Sequence, residues 1–336
     1  MEIQESIALA PITTFRIGGP ARFFCVAKTL DDIRQSLDFA RDQHTPVFIL
    51  GGGSNVLVPD EGFDGLVIKL ECMGVEVVRE GTRVVITAGA GESWDALVAR
   101  AVAEDAWGIE NLSGIPGTVG GACVQNIGAY GAAFSQVLES IEVFDTNTRE
   151  IKTLSREECA LGYRGSIFKE EDGRYIVLHA TLVLQTQPAP NISYKDLKAR
   201  FADMSMDLSS IRAAVLEIRA AKFPDLSVEG TAGSFFKNPI MPKAEAEALK
   251  QTYPDMPLFD MPETEGVKVP LAWLLDHALH LKGTEVGGAR LFENQVLVIA
   301  AKRGTSSHDV QELASHVQEK VFSELKIKIE PEVKIL

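Results

Sequence analysis

The chain is short of basic residues and of cysteine, and it has no long apolar run. Lys and Arg number 33 against 47 Asp and Glu, a formal net charge of -14. Nucleic acids and anionic membranes bind basic surfaces, so neither is an expected partner. A local group of Arg and Lys still permits an anionic small-molecule ligand. The four cysteines, Cys25, Cys72, Cys123 and Cys159, are scattered without a C-x-x-C pair. That is the pattern of free thiols in a reducing compartment, not of a disulfide framework or a zinc site. No apolar stretch approaches the ~20 residues of a membrane span. Met1–Glu5 has neither the basic nor the apolar region of a signal peptide. The expectation is a cytoplasmic chain with no membrane insertion and no bound metal.

Two familiar phosphate motifs are also missing. No glycine loop continues into Lys-Ser or Lys-Thr, which excludes the P-loop. The nearest approach to G-x-G-x-x-G is Gly89-Ala90-Gly91-Glu92-Ser93-Trp94, where Trp94 occupies the place of the last glycine and obstructs close helix–strand packing.

What is present is a pair of glycine-rich stretches, Gly51-Gly52-Gly53-Ser54-Asn55 and Ser113-Gly114-Ile115-Pro116-Gly117-Thr118-Val119-Gly120-Gly121-Ala122. The first follows the apolar run Val47–Leu50, which reads as a buried strand. Bare backbone in such turns presents N–H groups to an anion. Two such loops in one fold point to a ligand with two phosphates, a dinucleotide. Each loop alone reads equally well as an ordinary tight turn.

At 336 residues, with 46% hydrophobic and 24% charged residues, the chain has room for two or three globular domains. Leu30 to Gln43 has helical spacing, with Thr29 and Asp32 as a capping box. Val67–Leu70 and Arg83–Ala88 read as strands, and Trp94, Leu97, Val98, Ala101 and Val102 mark one helix face. Ile141–Phe144 and Glu150–Leu154 form an expected hairpin, and Tyr175 to Leu184 a long strand. Helices are expected from Leu208, over Ala272 to Leu281 and over His308 to Leu325. An alternating strand is expected over Ile327 to Leu336.

Several residues could do chemistry. Arg164 could hold a carboxylate through charge-assisted hydrogen bonds, although spacing alone favours an ordinary loop arginine. Ser234 follows small residues and precedes Phe235 and Phe236, so it could pass a proton in a dry site. A glycine turn into a buried aromatic strand explains the same residues as well. There is no G-x-S-x-G elbow. Glu330 and Glu332 flank Pro331 in the last strand. His277 and His280 have i, i+3 spacing with no third ligand, and read as ordinary helix-face histidines.

These stretches, taken in order, carry a resemblance. They are Thr14–Gly19, Gly51–Leu57, Ser113–Gly121, Gln125–Gly131, Tyr163–Lys169, Gly233–Pro239 and Pro331–Val333. With them the chain resembles the UDP-N-acetylenolpyruvoylglucosamine reductase family of peptidoglycan synthesis, nearly end to end. The resemblance implies an α+β architecture: two α/β subdomains with the FAD-binding fold of the vanillyl-alcohol-oxidase/p-cresol methylhydroxylase type, then a third, substrate-binding domain. The implied boundaries are 1–69, 70–207 and 208–325, with a terminal strand, 326–336, returning to the first.

The resemblance further implies non-covalent FAD, NADPH as hydride donor and UDP-N-acetylglucosamine enolpyruvate as substrate. A monomer is the expected state. FAD contacts fall to Arg16, Gly51, Gly52, Gly53, Ser54, Asn55, Val56 and Leu57. They continue with Ser113, Gly114, Ile115, Pro116, Gly117, Thr118, Gly120, Gly121 and Ala122, and then Gln125, Asn126, Gly128, Ala129 and Arg219. Arg164 and Glu332 match the family's charge-stabilising pair and Ser234 its proton donor. Tyr130, Arg164, Tyr194, Lys222 and Asn238 match substrate contacts, with Tyr194 marking the longer subtype. The sequence departs from the family pattern at Glu293-Asn294-Gln295, where Gln295 stands for a substrate contact. Cys123 reads as packing. The alternative on the same fold is an FAD-dependent oxidase or dehydrogenase of a small alcohol or hydroxy acid. A flavin-free sugar-nucleotide-binding module or transferase is the alternative from another class.

Overall fold

The computed structural model describes residues 1–201, 206–261 and 266–336. The chain divides into two compact units, one of Met1–Ile7, Pro20–Gly53 and Phe63–Ala220, the other of Ala8–Gly19, Ser54–Gly62 and Ala221–Leu336.

Two main sheets organise the first unit, beside the two-stranded pair Gly128–Ala129 and Ala132–Ala133. The smaller is ordered Gln4–Ala8, Pro20–Ala27, Phe63–Leu70, Val47–Leu50. Its strand Phe63–Leu70 pairs in parallel with both Pro20–Ala27 and Val47–Leu50. The helix Leu30–Asp42 covers it and begins at a capping box between Thr29 and Asp32, as the spacing predicts. Parallel strands need such a crossover to return to the same edge.

The larger sheet is antiparallel, ordered Glu150–Ser155, Leu138–Asp145, Tyr175–Gln185, Arg83–Gly89, Val75–Glu80. Val84, Ile86 and Ala88 lie opposite Leu184, Leu182 and Ala180, and all six are buried. The period-2 pattern therefore sends one face of both strands into a core shared with Trp94, Leu97 and Val98 of the helix Trp94–Ala103. The helix Leu208–Lys222 lays Leu208, Ile211, Ala214 and Val215 against Trp107, Tyr130, Leu197 and Phe201.

The second unit is built around the helix Ser307–Leu325, whose Val310, Leu313, Val317 and Val321 join Phe235, Phe236, Leu291 and Ile299 in one core. Ser306 and Asp309 form its capping box, and the Asp60 carboxylate accepts from the Ser307 N–H at 2.9 Å. The helix expected over Ala272 to Leu281 is instead one turn, Leu271–Trp273, running into a π turn, Leu274–Ala278. The widened turn closes through Leu279 N to Leu274 O at 2.9 Å, a five-residue bond that hydrophobic periodicity does not distinguish from helix.

The strand expected over Ile327 to Leu336 shortens to Lys334–Ile335, paired in parallel with Val56–Leu57. The alternation itself is real, because Ile327, Ile329 and Val333 are buried. Pro331 has no N–H to give a ladder. The segment is held piecemeal, by Lys237 N to Glu330 O at 3.0 Å and Glu332 N to Phe235 O at 2.7 Å.

Candidate functional site

The two glycine loops meet in the first unit. Strand Val47–Leu50 delivers Gly51–Gly53, and a Cβ on Gly52 would fall 2.7 Å from Gly117 Cα. Only glycine allows that approach of backbone to backbone. Thr118 caps the helix Val119–Gln125, which contains Gly120, Gly121 and Ala122, and its Oγ1 accepts from Gly121 N at 3.4 Å. The helix start adds its positive end to this stretch of bare backbone. The peptide of Gly114 is held on both sides: its N–H by Asp95 Oδ1 at 2.6 Å, its carbonyl by Arg219 Nε at 3.0 Å. Asp95 is in turn gripped by Arg212 at 2.6 and 2.8 Å. That hydrogen bond to Arg212 is the largest reason the Asp95 carboxyl sits below its usual range. Burial pulls the Arg219 guanidinium down, opposed by Tyr130 and Asp95.

The same unit gathers Arg164 with Gln125, Asn126 and Gly128. Arg164 has a left-handed backbone, φ +55, between Gly162 and Gly165, which exchange hydrogen bonds at 3.1 and 3.3 Å. Its Nη2 donates to Gly128 O at 3.0 Å, and Asn126 Nδ2 donates to Gly162 O at 2.8 Å. The Lys169 ammonium donates to Arg164 O at 3.0 Å and also to the Gln125 side-chain carbonyl. Tyr130 is buried, and its ring meets that of Tyr194 edge to face at 5.1 Å. Tyr194 stands at the start of the helix Lys195–Arg200.

The second unit brings Ser234, Glu332 and the Ser54–Leu57 segment together. Ser234 bridges Val298, and Phe235 N donates to Leu297 O at 2.7 Å. On its other side Phe235 O accepts from Glu332 N at 2.7 Å, which sets Glu332 alongside the residue after Ser234. Asn55 Nδ2 donates to Glu332 O at 3.1 Å, and Asn55 O accepts from Lys334 N at 3.1 Å. Phe235 and Phe236 are both buried, so the backbone carrying Ser234 is fixed against the core. Asn238 Oδ1 accepts from Leu271 N at 2.9 Å. Gln295 lies in a turn, its N–H donating to Phe292 O at 3.2 Å, while Asn294 Nδ2 reaches Ala221 O, beside Lys222, at 2.9 Å. Arg16, φ +57, donates to Ser227 O at 3.5 Å.

Cys123 and His277 take packing roles. Cys123 is fully buried, and burial pushes its thiol well above the ordinary value, which withholds the reactive thiolate. His277 stacks on Trp273 at 4.9 Å.

Comparison with known proteins joins the two units in one identity. A family model described as an FAD binding domain matches residues 21–154. A second, described as the C-terminal domain of UDP-N-acetylenolpyruvoylglucosamine reductase, matches residues 225–336. The reductase of that name from Neisseria gonorrhoeae is 40% identical over 330 residues, covering 96% of this chain and 94% of its own. The one from Amoebophilus asiaticus is 38% identical and covers 100% of both chains. The chain belongs to the UDP-N-acetylenolpyruvoylglucosamine reductase family.

The crystal structure of the family's Thermus caldophilus member superposes with a TM-score of 0.70 at 26% identity, over 100% of this chain and 99% of that one. The FAD-binding match contains both glycine loops and Gln125, Asn126, Gly128 and Tyr130, while the C-terminal match contains Ser234, Asn238, Gln295 and Glu332. Arg16, Arg164, Tyr194, Arg219 and Lys222 lie outside both spans. The bare backbone of the apposed loops and the half-buried cation Arg219 at Gly114 suit the diphosphate of FAD. The bracing of Gly114 by Asp95 and Arg212 is not legible in the sequence. An acid in the first turn of a helix reads as an ordinary dipole partner. Among the described residues no helix is long and apolar enough to cross a membrane.

Proposed function

We propose that this chain reduces UDP-N-acetylglucosamine enolpyruvate to UDP-N-acetylmuramate at the expense of NADPH, in the cytoplasmic stage of peptidoglycan synthesis. The observation that carries the reading is the end-to-end likeness to reductases of this name in Neisseria gonorrhoeae and Amoebophilus asiaticus. Bound FAD supplies a two-electron carrier that accepts a hydride from NADPH and yields one to the enolpyruvyl double bond. In this reading residues 1–69 and 70–207 serve the cofactor and 208–325 the substrate.

The chain's own residues bind, orient and move a proton. Hydride addition at the terminal enol carbon drives negative charge toward the substrate carboxylate. Arg164, a permanent cation on a braced loop, would stabilise that charge directly, and Glu332 would do so as a protonated carboxyl donating a hydrogen bond. The Ser234 hydroxyl delivers a proton to the neighbouring carbon. A serine is a weak acid in water, so it works only when fixed within hydrogen-bond reach of a strongly basic carbon. The burial of Phe235 and Phe236, which follow it in the chain, supports a fixed backbone for that role. Tyr130, Tyr194, Lys222, Asn238 and Gln295 hold the sugar nucleotide, and Arg16, Arg219 and the glycine loops hold FAD.

An anaerobic titration of the purified protein tests the reading. NADPH should bleach the flavin band, and the enolpyruvyl sugar nucleotide should restore it. In Ser234→Ala the bleaching should persist and the recovery collapse; equal loss of both would remove the proton-donor role. Bleaching by a small alcohol or hydroxy acid, with none by NADPH, would favour an oxidase on the same fold.

A further inference from the structure

Asn111 is buried in the short 3₁₀ turn Glu110–Leu112, directly before the second glycine loop. Its amide nitrogen donates to two carbonyls from separate stretches of chain, Tyr130 O at 2.8 Å and Asn191 O at 2.7 Å. Asn191 reciprocates: its own amide donates to Gly131 O at 2.9 Å. The Asn191 Oδ1 accepts from Ser193 N at 3.2 Å and Ser193 Oγ at 2.7 Å. The next residue is Tyr194, whose ring rests edge to face on Tyr130. Two carboxamides therefore tie the Asn191–Tyr194 segment to the turn at Tyr130 and Gly131.

The turn beneath them is itself anchored. Ser113 Oγ donates to Glu110 O at 2.6 Å, and Glu110 Oε2 accepts from Gly108 N at 2.7 Å. Tyr130 has a left-handed backbone, φ +49, which a bulky residue keeps only where its surroundings hold it. The chemistry at position 111 is specific. A carboxamide has two N–H donors, both used here, whereas a carboxylate of the same shape has none.

We propose that Asn111 is a positioning residue which, with Asn191, latches the Tyr194 segment onto the Tyr130 turn and sets both rings for binding the uridine-diphosphate part of the substrate. The assignment rests on the function proposed above. Because Asn111 stands in the turn that leads into the second glycine loop, the latch also ties the tyrosines to the cofactor side of the unit. The residues it positions are those proposed to hold the sugar nucleotide, so its loss should fall on sugar-nucleotide binding.

The test uses the full-length, FAD-loaded protein and the variants N111A, N111D and N191A. In each, KM for UDP-N-acetylglucosamine enolpyruvate should rise about tenfold, equivalent to ~1.4 kcal/mol. FAD content should be unchanged, and flavin bleaching by NADPH should stay within about twofold of wild type, the size of effect expected of groups outside that step. N111D separates hydrogen bonding from shape, since it retains the size and loses both donors. A wild-type KM in N111D or N191A would overturn the latch, as would equal losses in both half-reactions. If the buried substitutions fail to fold, N191A alone decides, because Asn191 lies in a surface segment. Failure of the underlying functional reading has a different signature: the wild-type flavin, once bleached by NADPH, would not recover with the sugar nucleotide, and both proposals would fall.

Discussion

Asp95 and Arg212 face each other with two hydrogen bonds, 2.6 and 2.8 Å, although 117 residues separate them in the chain. The same Asp95 oxygen that meets Arg212 Nη1 also takes the Gly114 N–H, and Arg219, from the helix that carries Arg212, takes the Gly114 carbonyl. One helix thereby holds both backbone polar groups of Gly114 in the second glycine loop, once directly and once through Asp95. Asp95→Asn should loosen that loop and weaken FAD retention. The cost should be about 1–2 kcal/mol, because the pair is charged but partly open to solvent. The check is the fraction of flavin released on dilution. The pH dependence follows from the depressed carboxyl. A group held below its ordinary value stabilises the folded state above ~4 and loses that contribution as pH falls through its folded value. Wild-type retention should therefore fall on acidification below ~4 more steeply than that of Asp95→Asn. Equal retention by both at neutral pH would remove Asp95 from loop support.

Lys169 links a proposed cofactor contact, Gln125, to the backbone of Arg164. Arg164 occupies a left-handed conformation at φ +55, which needs external support. Lys169→Met keeps most of the stem and removes the cation. Flavin recovery with the enolpyruvyl sugar nucleotide should slow about tenfold, the loss of one hydrogen bond from a charged group. The slowing should persist at saturating substrate, because it concerns the aim of Arg164 more than binding. Stopped-flow absorbance measures it, and an unchanged saturated rate would exclude the support.

These two supports mark the boundary of what the sequence makes legible. The helix starts at Thr29 and Ser306 are readable because a capping box is local chemistry. The strands around Val84–Ala88 and Ala180–Leu184 are readable because burial on one face imposes period 2. The glycine loops and Ser234 are readable as motifs, and the family resemblance gave them roles. Asp95 with Arg212 and Asn111 with Asn191 are pairs distant in sequence, and each member alone is an ordinary polar residue. Their meaning arises only when the chain folds. The π turn at Leu274–Ala278 escaped for another reason: its apolar positions repeat as a helix would, and only the hydrogen-bond step differs.

Glycine substitutions separate a cofactor defect from a folding defect. A Cβ on Gly52 would press on Gly117 Cα at 2.7 Å, which would part the two loops. Gly52→Ala should yield a folded protein with little bound FAD. A Cβ on Gly230 would meet Phe15 O at 1.9 Å, with Thr14 and Thr231 hydrogen-bonded alongside. Gly230→Ala has no flexible side chain to displace and should cost several times more stability than Gly52→Ala, roughly 3 kcal/mol or more. Soluble yield, thermal unfolding and flavin content together check the contrast. A flavin-replete Gly52→Ala would show that loop contact is not needed for FAD.

Asp145 is a buried ionic anchor away from the proposed chemistry. Its carboxylate is fully buried and accepts from Lys152 Nζ at 2.7 Å and Arg174 Nη2 at 3.4 Å. It also takes the N–H groups of Asn147 at 2.9 Å and Thr148 at 3.3 Å, closing the hairpin between strands Leu138–Asp145 and Glu150–Ser155. The hydrogen bond from Lys152 is the chief reason its carboxyl is lowered to about 2. Asp145→Ala leaves two cations and two N–H groups without their acceptor, so it should destabilise by about 3 kcal/mol. The pH signature has a definite sign. The folded-state value lies below the ordinary one, so the wild-type contribution is complete above ~4 and is lost as pH falls toward 2. Urea unfolding at several pH values should show the gap between wild type and Asp145→Ala narrowing across that interval. A gap that stays constant down to pH 2 would mean the carboxylate's charge is not what Asp145 contributes.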